Sequence, residues 1–344
     1  MNIRVIANLI LLLSLIVPVK LAWAVESHAV VLMYHRFGEN KYPSTNIKTE
    51  QFIQQLDFFE SNGFTVWPLE KIISHLKNKS PIPDKTIAIT IDDAYLSVYQ
   101  IAYPLMLDRN IPFTLFVSSS VVDKAYSSYM DWDQIKDMAD HGVTIGNHSA
   151  KHLHLVENKQ AVRSEVVIAQ KRIKEKTNVD TTLFAYPYGE YDVEMTRELR
   201  SLDYIAFGQH SGPIGEASNF QALPRFPVSE HYSDLNALKD KLSSLPMPVI
   251  DRKPKKIVTF VPMPLMMITL DRKVKLKNSL QCFVSGQGRA NVRWVDENRF
   301  TVQAKKPIVL RRSRYNCTIK DANSGRFFWY SHMWLRPQIP ESSH

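Results

Sequence analysis

Thr86-Ile87-Ala88-Ile89-Thr90-Ile91-Asp92-Asp93-Ala94-Tyr95 is an uncharged, β-branched run that stops at two adjacent carboxylates. Such a run reads as a strand buried on both faces, the kind found in parallel sheets covered by helices. Neighbouring residues of a regular strand point to opposite faces. Asp92 and Asp93 therefore serve one site only if the strand ends here and the backbone turns. Otherwise one of them caps a helix starting near Tyr95 and the other is solvated.

Around this strand, apolar runs alternate with amphipathic stretches. Residues 30–35 read as a first strand, 51–62 as a helix with Phe52, Leu56 and Phe59 on one stripe, and 69–77 as a second helix. Beyond it the pattern repeats: helix 95–109 despite Pro104, strand 113–117, helix 132–141, strand 143–146, helix 157–176, strand 183–186, helix 193–202 and strand 204–208. About seven such units with short connections predict a distorted seven-stranded (β/α) barrel, although an open doubly wound sheet fits the same alternation. No glycine-rich phosphate loop follows any of these strands, so no nucleotide cofactor is expected.

The flanking segments differ in character. Arg4, the uncharged stretch 5–19 and Ala22-Trp23-Ala24 read as a signal peptide over 1–24, cleaved after Ala24, which places the mature chain in the periplasm or outside the cell without a transmembrane segment. Residues 25–250 hold 22 Lys and Arg against 28 Asp and Glu, whereas 251–344 hold 19 against 6. The basic excess thus belongs to the tail. Pro246, Pro248 and Pro254 mark a linker over 246–256 between a large domain at 25–245 and a basic module at 257–344. In that module, short alternating runs at 257–261, 274–284, 291–295, 300–303, 315–319 and 327–334 predict a small antiparallel, sandwich-like β fold with a hairpin loop at Asp321–Gly325. Its Cys282 and Cys317, alone in the chain, are expected to form one disulfide in an oxidising compartment. The charge suits an anionic envelope glycan or lipid headgroup better than nucleic acid.

The residues at the predicted strand ends are His35, Asp92 and Asp93, His148, Pro187-Tyr188-Gly189 and His210. In α/β barrels these ends share one mouth. His148 and His152, four apart, sit on one face of a helical turn, and a carboxylate from another strand completes a three-ligand metal site. His154 should face elsewhere. Asp131-Trp132 and Tyr188 offer stacking surfaces for sugar rings, a buried core position being the alternative for Trp132.

Thr90-Ile91-Asp92-Asp93, His148-Ser149-x-x-His152 and Tyr186-Pro187-Tyr188-Gly189 resemble, in order, the first three motifs of polysaccharide deacetylases with the NodB-type domain, carbohydrate esterase family 4. The likeness covers roughly residues 30–228 and leaves the tail module unexplained. The resemblance implies an exported hydrolase that removes N-acetyl groups from an N-acetylglucosamine-containing glycan and releases acetate. It casts Asp92 as general base, Asp93, His148 and His152 as ligands of one divalent metal, usually zinc, and the Tyr188 backbone N–H as oxyanion donor. The family's glycine after the Asp pair is Ala94 here, its motif arginine is Ala185, and its late Leu-x-His motif has no clear match. Residues 31–37 and 184–189 look like the subgroup acting on poly-N-acetylglucosamine, whose acid motif lies on the first strand. That makes His35 the general acid, with His210 as the other candidate. Arg225, in Leu223-Pro224-Arg225-Phe226-Pro227, either replaces the missing arginine beside Asp92 or forms an ordinary surface ion pair. A catalytically inactive glycan-binding protein of the envelope is the competing reading, motivated by Ala94, Ala185 and the basic tail.

Overall fold

A computed structural model describes residues 27–341, so the leader expected over 1–24 lies outside the described residues. Six strands form the barrel wall: β1 (His28–Tyr34), β2 (Thr86–Asp92), β3 (Phe113–Val117), β4 (Thr144–Asn147), β5 (Leu183–Ala185) and β6 (Ile205–Phe207). They lie side by side in chain order and are parallel throughout. Nearly every residue of β1, β2 and β3 is buried, as their uncharged composition requires.

The gap between β6 and β1 is closed by residues 223–227, an irregular seventh stave. On one side the Leu223 amide donates to Ala206 O at 2.8 Å and the Gly208 amide to Leu223 O at 2.9 Å; on the other, Phe226 and Pro227 pair with Leu32 and Met33. Two prolines in five residues keep this stave from forming a regular ladder. The result is the curled, distorted seven-stranded α/β half-barrel expected from the alternation.

The helices cover the outside. Thr49–Ser61 buries Phe52, Gln55, Leu56 and Phe59 on one stripe, and Leu69–Lys77 buries Leu69, Ile72, Ile73 and Leu76. Two helices differ from expectation. The stretch 95–109 holds a π-helical turn, Val98–Ala102, before a short α-helix, Tyr103–Leu107, because Pro104 lacks an amide donor and crowds the turn before it. The long charged helix begins at Val162, not at 157. Asp131 caps the helix Trp132–Asp140 by accepting from the Gln134 amide at 2.8 Å, and the Trp132 indole donates to Asp123 at 2.8 Å while packing on the barrel core. This pair is therefore occupied by capping and packing.

The C-terminal module has two facing sheets. One runs Leu245–Pro246, Phe327–Leu335, Arg312–Lys320, Gln281–Val284, Gly288–Arg289; the other runs Val249–Lys253, Met266–Leu270, Arg299–Gln303, Asn291–Trp294. Met266, Ile268, Phe300, Tyr315, Ile319 and Trp334 fill the space between them. Two expectations need correction. Residues 246–256 are not a spacer, since Val249–Lys253 pairs with Met266–Leu270. Residues 257–261 form no strand of the module: Val258 makes a single bridge to Leu335, while Ile257 joins a barrel cluster.

Cys282 and Cys317 face each other across paired strands and form a disulfide. Its closed loop has a sequence separation of 35. Cys282→Ala with Cys317→Ala is expected to lower stability by about 3–4 kcal/mol through the freed unfolded chain, measurable by denaturant titration.

The module is packed onto the barrel. Leu245 and Pro246 pair with Phe328 and Trp329, the Trp329 ring meets Phe226 edge-on at 5.0 Å, and Met333 and Leu335 share a cluster with Tyr186, Tyr191 and Met195. Its cations meet the barrel's acids: Arg326 donates to Asp84 at 2.9 Å, and Arg311 and Arg312 reach Glu190. Part of the tail's positive charge is thus directed inward. Among the described residues no helix is long and apolar enough to cross a membrane.

Candidate active site

At the end of β2 the backbone turns as the sequence required. Asp92 is the last strand residue and fully buried; Asp93 still donates its amide to Phe116 O at 3.1 Å but has φ +77°, and Ala94 follows at +56°. Two consecutive left-handed residues swing Asp93 back towards the mouth that Asp92 faces. The second is the position where the resembled family has glycine, the residue that adopts this conformation without a Cβ penalty.

Asp93 Oδ1 lies 3.3 Å from His148 Nε2 and 3.2 Å from His152 Nε2. His148 sits just beyond β4, its Nδ1 2.7 Å from Ala185 O. A carbonyl only accepts, so Nδ1 carries a proton and Nε2 is the nitrogen turned to the mouth; burial would lower the ring's pKa, but Asp93 and Asp92 raise it and favour a second proton there. Asn147 braces this loop: its amide group donates to Val166 O at 2.9 Å and its carbonyl accepts from the Ser149 amide at 2.9 Å. His152 reaches the same point through an irregular loop, with Ser149 and His152 both at positive φ, and not through the helical turn expected from its spacing. The three side chains converge within 4.8 Å. Burial would raise the Asp93 pKa, but His152 and His148 hold it well below the usual carboxylate range.

Asp92 has different company. Arg225, also fully buried, donates from Nη1 to Oδ1 at 2.7 Å and from Nη2 to Oδ2 at 2.8 Å. Arg225 is itself anchored through Nε to Gly208 O at 3.1 Å and through Nη1 to Thr90 Oγ1 at 3.1 Å. The arginine on the seventh stave is thus a buried partner of Asp92 and not part of an ordinary surface ion pair. Burial would raise the Asp92 pKa, yet Arg225 and His148 keep it below its ordinary value.

His35 follows β1 directly and places Nε2 4.0 Å from Asp92 Oδ2. Burial lowers its pKa and outweighs the upward pull of the Asp93 and Asp92 carboxylates. His210 stands elsewhere. Its carbonyl accepts from the Arg225 amide at 2.9 Å, but its ring lies 5.9 Å from Tyr191 in the crevice towards the C-terminal module.

Tyr188 occupies the turn Pro187–Gly189 with φ +59°. Its ring stacks on His154 at 4.0 Å and meets His152 edge-on at 4.5 Å. His154, as expected, is no partner of Asp93. It lies 3.0 Å from Glu190 Oε2, and Glu190 also accepts from Arg311 at 2.7 and 3.0 Å and from Arg312 at 2.9 Å. His154, Glu190 and Glu341 also converge. Two guanidinium groups neutralise that cluster. This network escaped the sequence reading; its one signal is that Glu190 directly follows Tyr188-Gly189.

Fold and site together define an α/β-barrel protein whose strand ends hold a two-histidine, one-carboxylate cluster beside a second, arginine-paired carboxylate. The polysaccharide deacetylase family matches residues 79–207, the stretch that contains this cluster. The chain carries a polysaccharide deacetylase domain of the NodB type, carbohydrate esterase family 4. The protein YxkH of Bacillus subtilis is 27% identical over 202 residues, 58% of this chain and 71% of that one. The poly-β-1,6-N-acetyl-D-glucosamine N-deacetylase of Escherichia coli K12 is 20% identical over 236 residues, 55% of this chain. The match spans only 34% of that enzyme's length. Among solved structures, IcaB from Ammonifex degensii superimposes with a TM-score of 0.56 at 24% identity, covering 64% of this chain and 99% of its own. That likeness shares the barrel fold.

Proposed function

We propose that this protein is an exported, metal-dependent deacetylase that hydrolyses the acetamide groups of an N-acetylglucosamine polysaccharide, releasing acetate and leaving free amines. The observation that carries the reading is the division of labour between neighbours: Asp93 converges with His148 and His152, while Asp92 is held ionised by Arg225. The donor set fits a divalent cation. Two imidazole nitrogens, one with its tautomer set by Ala185 O, and one carboxylate oxygen share a half-open mouth, the donors and open access that a hydrolytic zinc needs. When bound, such an ion supplies Lewis acidity, polarising a carbonyl oxygen and lowering the pKa of water.

The chain's own groups do the rest. Asp92 accepts the proton of the attacking water, with Arg225 fixing both its charge and its orientation. The Tyr188 N–H, presented by a left-handed turn, stabilises the developing oxyanion. His35 delivers a proton to the departing nitrogen, because an amine leaves poorly as an anion; burial, outweighing the pull of Asp93 and Asp92, lowers its pKa and makes the protonated ring a stronger acid. The disulfide is consistent with export to an oxidising compartment.

Purified protein is expected to hold about one divalent ion per chain and to release acetate from an acetylated glucosamine polymer. Asp93→Ala with His148→Ala should lose the ion, as read by elemental mass spectrometry; retention would show that the ligands lie elsewhere. Tight glycan binding without acetate release, across a range of added metals, would favour the inactive binding protein instead.

A further inference from the structure

We propose that the crevice between the barrel and the C-terminal module is a second saccharide-binding site, which holds an uncharged acetamido-sugar unit away from the deacetylation centre. The identity of the sugar rests on the function proposed above, whereas the existence of the site rests on its own geometry. The cavity encloses about 330 Å³, at the lower end of the roughly 300–1,000 Å³ of small-molecule sites. Tyr191 and His210 line it from the barrel, and Arg252, Trp329, Ser331 and His332 from the module.

Five of those six residues bring a buried polar atom with no partner: His210 Nδ1, Arg252 Nε, Trp329 Nε1, Ser331 Oγ and His332 Nε2. His210, Ser331 and His332 are only 7%, 6% and 3% exposed. Buried polar groups are nearly always hydrogen-bonded, so five unpaired ones around one crevice call for an occupant with several polar groups of its own.

The types of atom define that occupant. Burial and the neighbouring Arg314, Arg252 and Arg225 hold the His210 pKa down to about 3, and burial with Arg252 also keeps His332 uncharged. A neutral imidazole offers one donor and one acceptor. His332 already bonds the Lys256 backbone, which leaves its Nε2 as the acceptor. The indole and guanidinium N–H groups donate, and the Ser331 hydroxyl does both. Such a mixture matches hydroxyl and acetamide groups, which donate and accept, better than a phosphate, which only accepts. The Trp329 ring in the wall adds an aromatic surface suited to a pyranose.

Charge sets the preference. Asp271, the carboxylate in the wall, is taken by Arg272 at 2.6 and 2.7 Å, so the arginines dominate and disfavour the ammonium group of a deacetylated unit. The site would then retain unprocessed polymer and let processed stretches go.

Full-length Asp93→Ala protein, which hydrolyses nothing under this reading, is titrated calorimetrically with N-acetylglucosamine tetramer and with glucosamine tetramer. The acetylated tetramer is expected to bind about tenfold or more tightly than the amine, and Ser331→Val or His332→Phe to weaken it about tenfold. In the otherwise unaltered enzyme, the same two substitutions should leave acetate release from an acetylated disaccharide within about twofold. Circular dichroism melting checks folding. If His332→Phe does not fold, Ser331→Val decides, since the Ser331 hydroxyl supports no neighbour. Tetramer affinity unchanged by the folded variants, or crystals of the tetramer complex with only water in the crevice, would overturn the proposal. Tetramer binding in the crevice by a wild-type protein that releases no acetate would instead overturn the deacetylase reading and leave the second site standing.

Discussion

Asp92→Asn is expected to reduce acetate release roughly 10²–10⁴-fold, the usual contribution of a positioned general base. Unchanged turnover would place the base elsewhere. Asn keeps the shape of the side chain but leaves the buried Arg225 guanidinium without its counter-ion, so a stability loss accompanies the kinetic one and is measured separately by denaturant titration. Arg225→Met separates the two effects from the other side. In the native protein burial raises the Asp92 pKa, Arg225 and His148 outweigh it, and the folded value lies below the unfolded one. The stability contributed by Asp92 is then present above the unfolded carboxylate value and lost as pH falls through the folded one. Without Arg225 burial dominates. The folded pKa rises above the unfolded value, the sign reverses, and the acid limb of the kcat/KM profile moves to higher pH. A loss of about 3–5 kcal/mol is expected near neutral pH, where the carboxylate stays buried and unpaired, with partial recovery on acidification. An acid limb that does not move would show that Arg225 does not set the charge of the base.

What could be read beforehand followed from local regularities. Uncharged runs mark β2 and β3 because strands buried on both faces need no polar alternation, and the ends of β2 and β4 placed Asp92, Asp93 and His148 at one mouth. Arg225 was harder to place. Its stave is too short and too rich in proline for a strand signal, so only the absence of the family's motif arginine at Ala185 pointed to it. The His148–His152 pairing was legible as spacing, but the loop that makes it, with two left-handed residues, carries none of the glycines that announce such turns. The strand Val249–Lys253 was hidden behind Pro248 and Pro254, which flank it without interrupting its ladder. Least visible was the contact between module and barrel. Opposite net charges of the two segments hinted at attraction, but no periodicity in either specifies that Arg311 meets Glu190, 121 residues away.

That contact carries the second large expected effect. Glu190→Gln should destabilise the protein by about 2–3 kcal/mol, because the nearly buried Arg311 guanidinium loses its buried carboxylate and keeps only the half-exposed Glu157, at 2.6 Å. Burial raises the Glu190 pKa, but Arg311, His154 and Arg312 bring it below its ordinary value. Its stabilising contribution is accordingly present above the unfolded carboxylate value and fades as pH falls through the folded one. In the Gln variant that acid-side loss should shrink, which a pH series of denaturant midpoints reads directly. The consequence reaches catalysis because Glu190 ends the turn that presents Tyr188, and because the Tyr188 ring is packed between His154, itself tied to Glu190, and His152 of the candidate metal cluster. Arg311→Leu tests the same link from the module without altering the turn's own sequence. If the module positions the turn, this variant should lower kcat with KM little changed, since a misplaced oxyanion donor costs transition-state stabilisation alone, and restoring the charge with Arg311→Lys should recover part of it. A variant that melts earlier yet keeps its kcat would assign the ion pair to holding module and barrel together and nothing more.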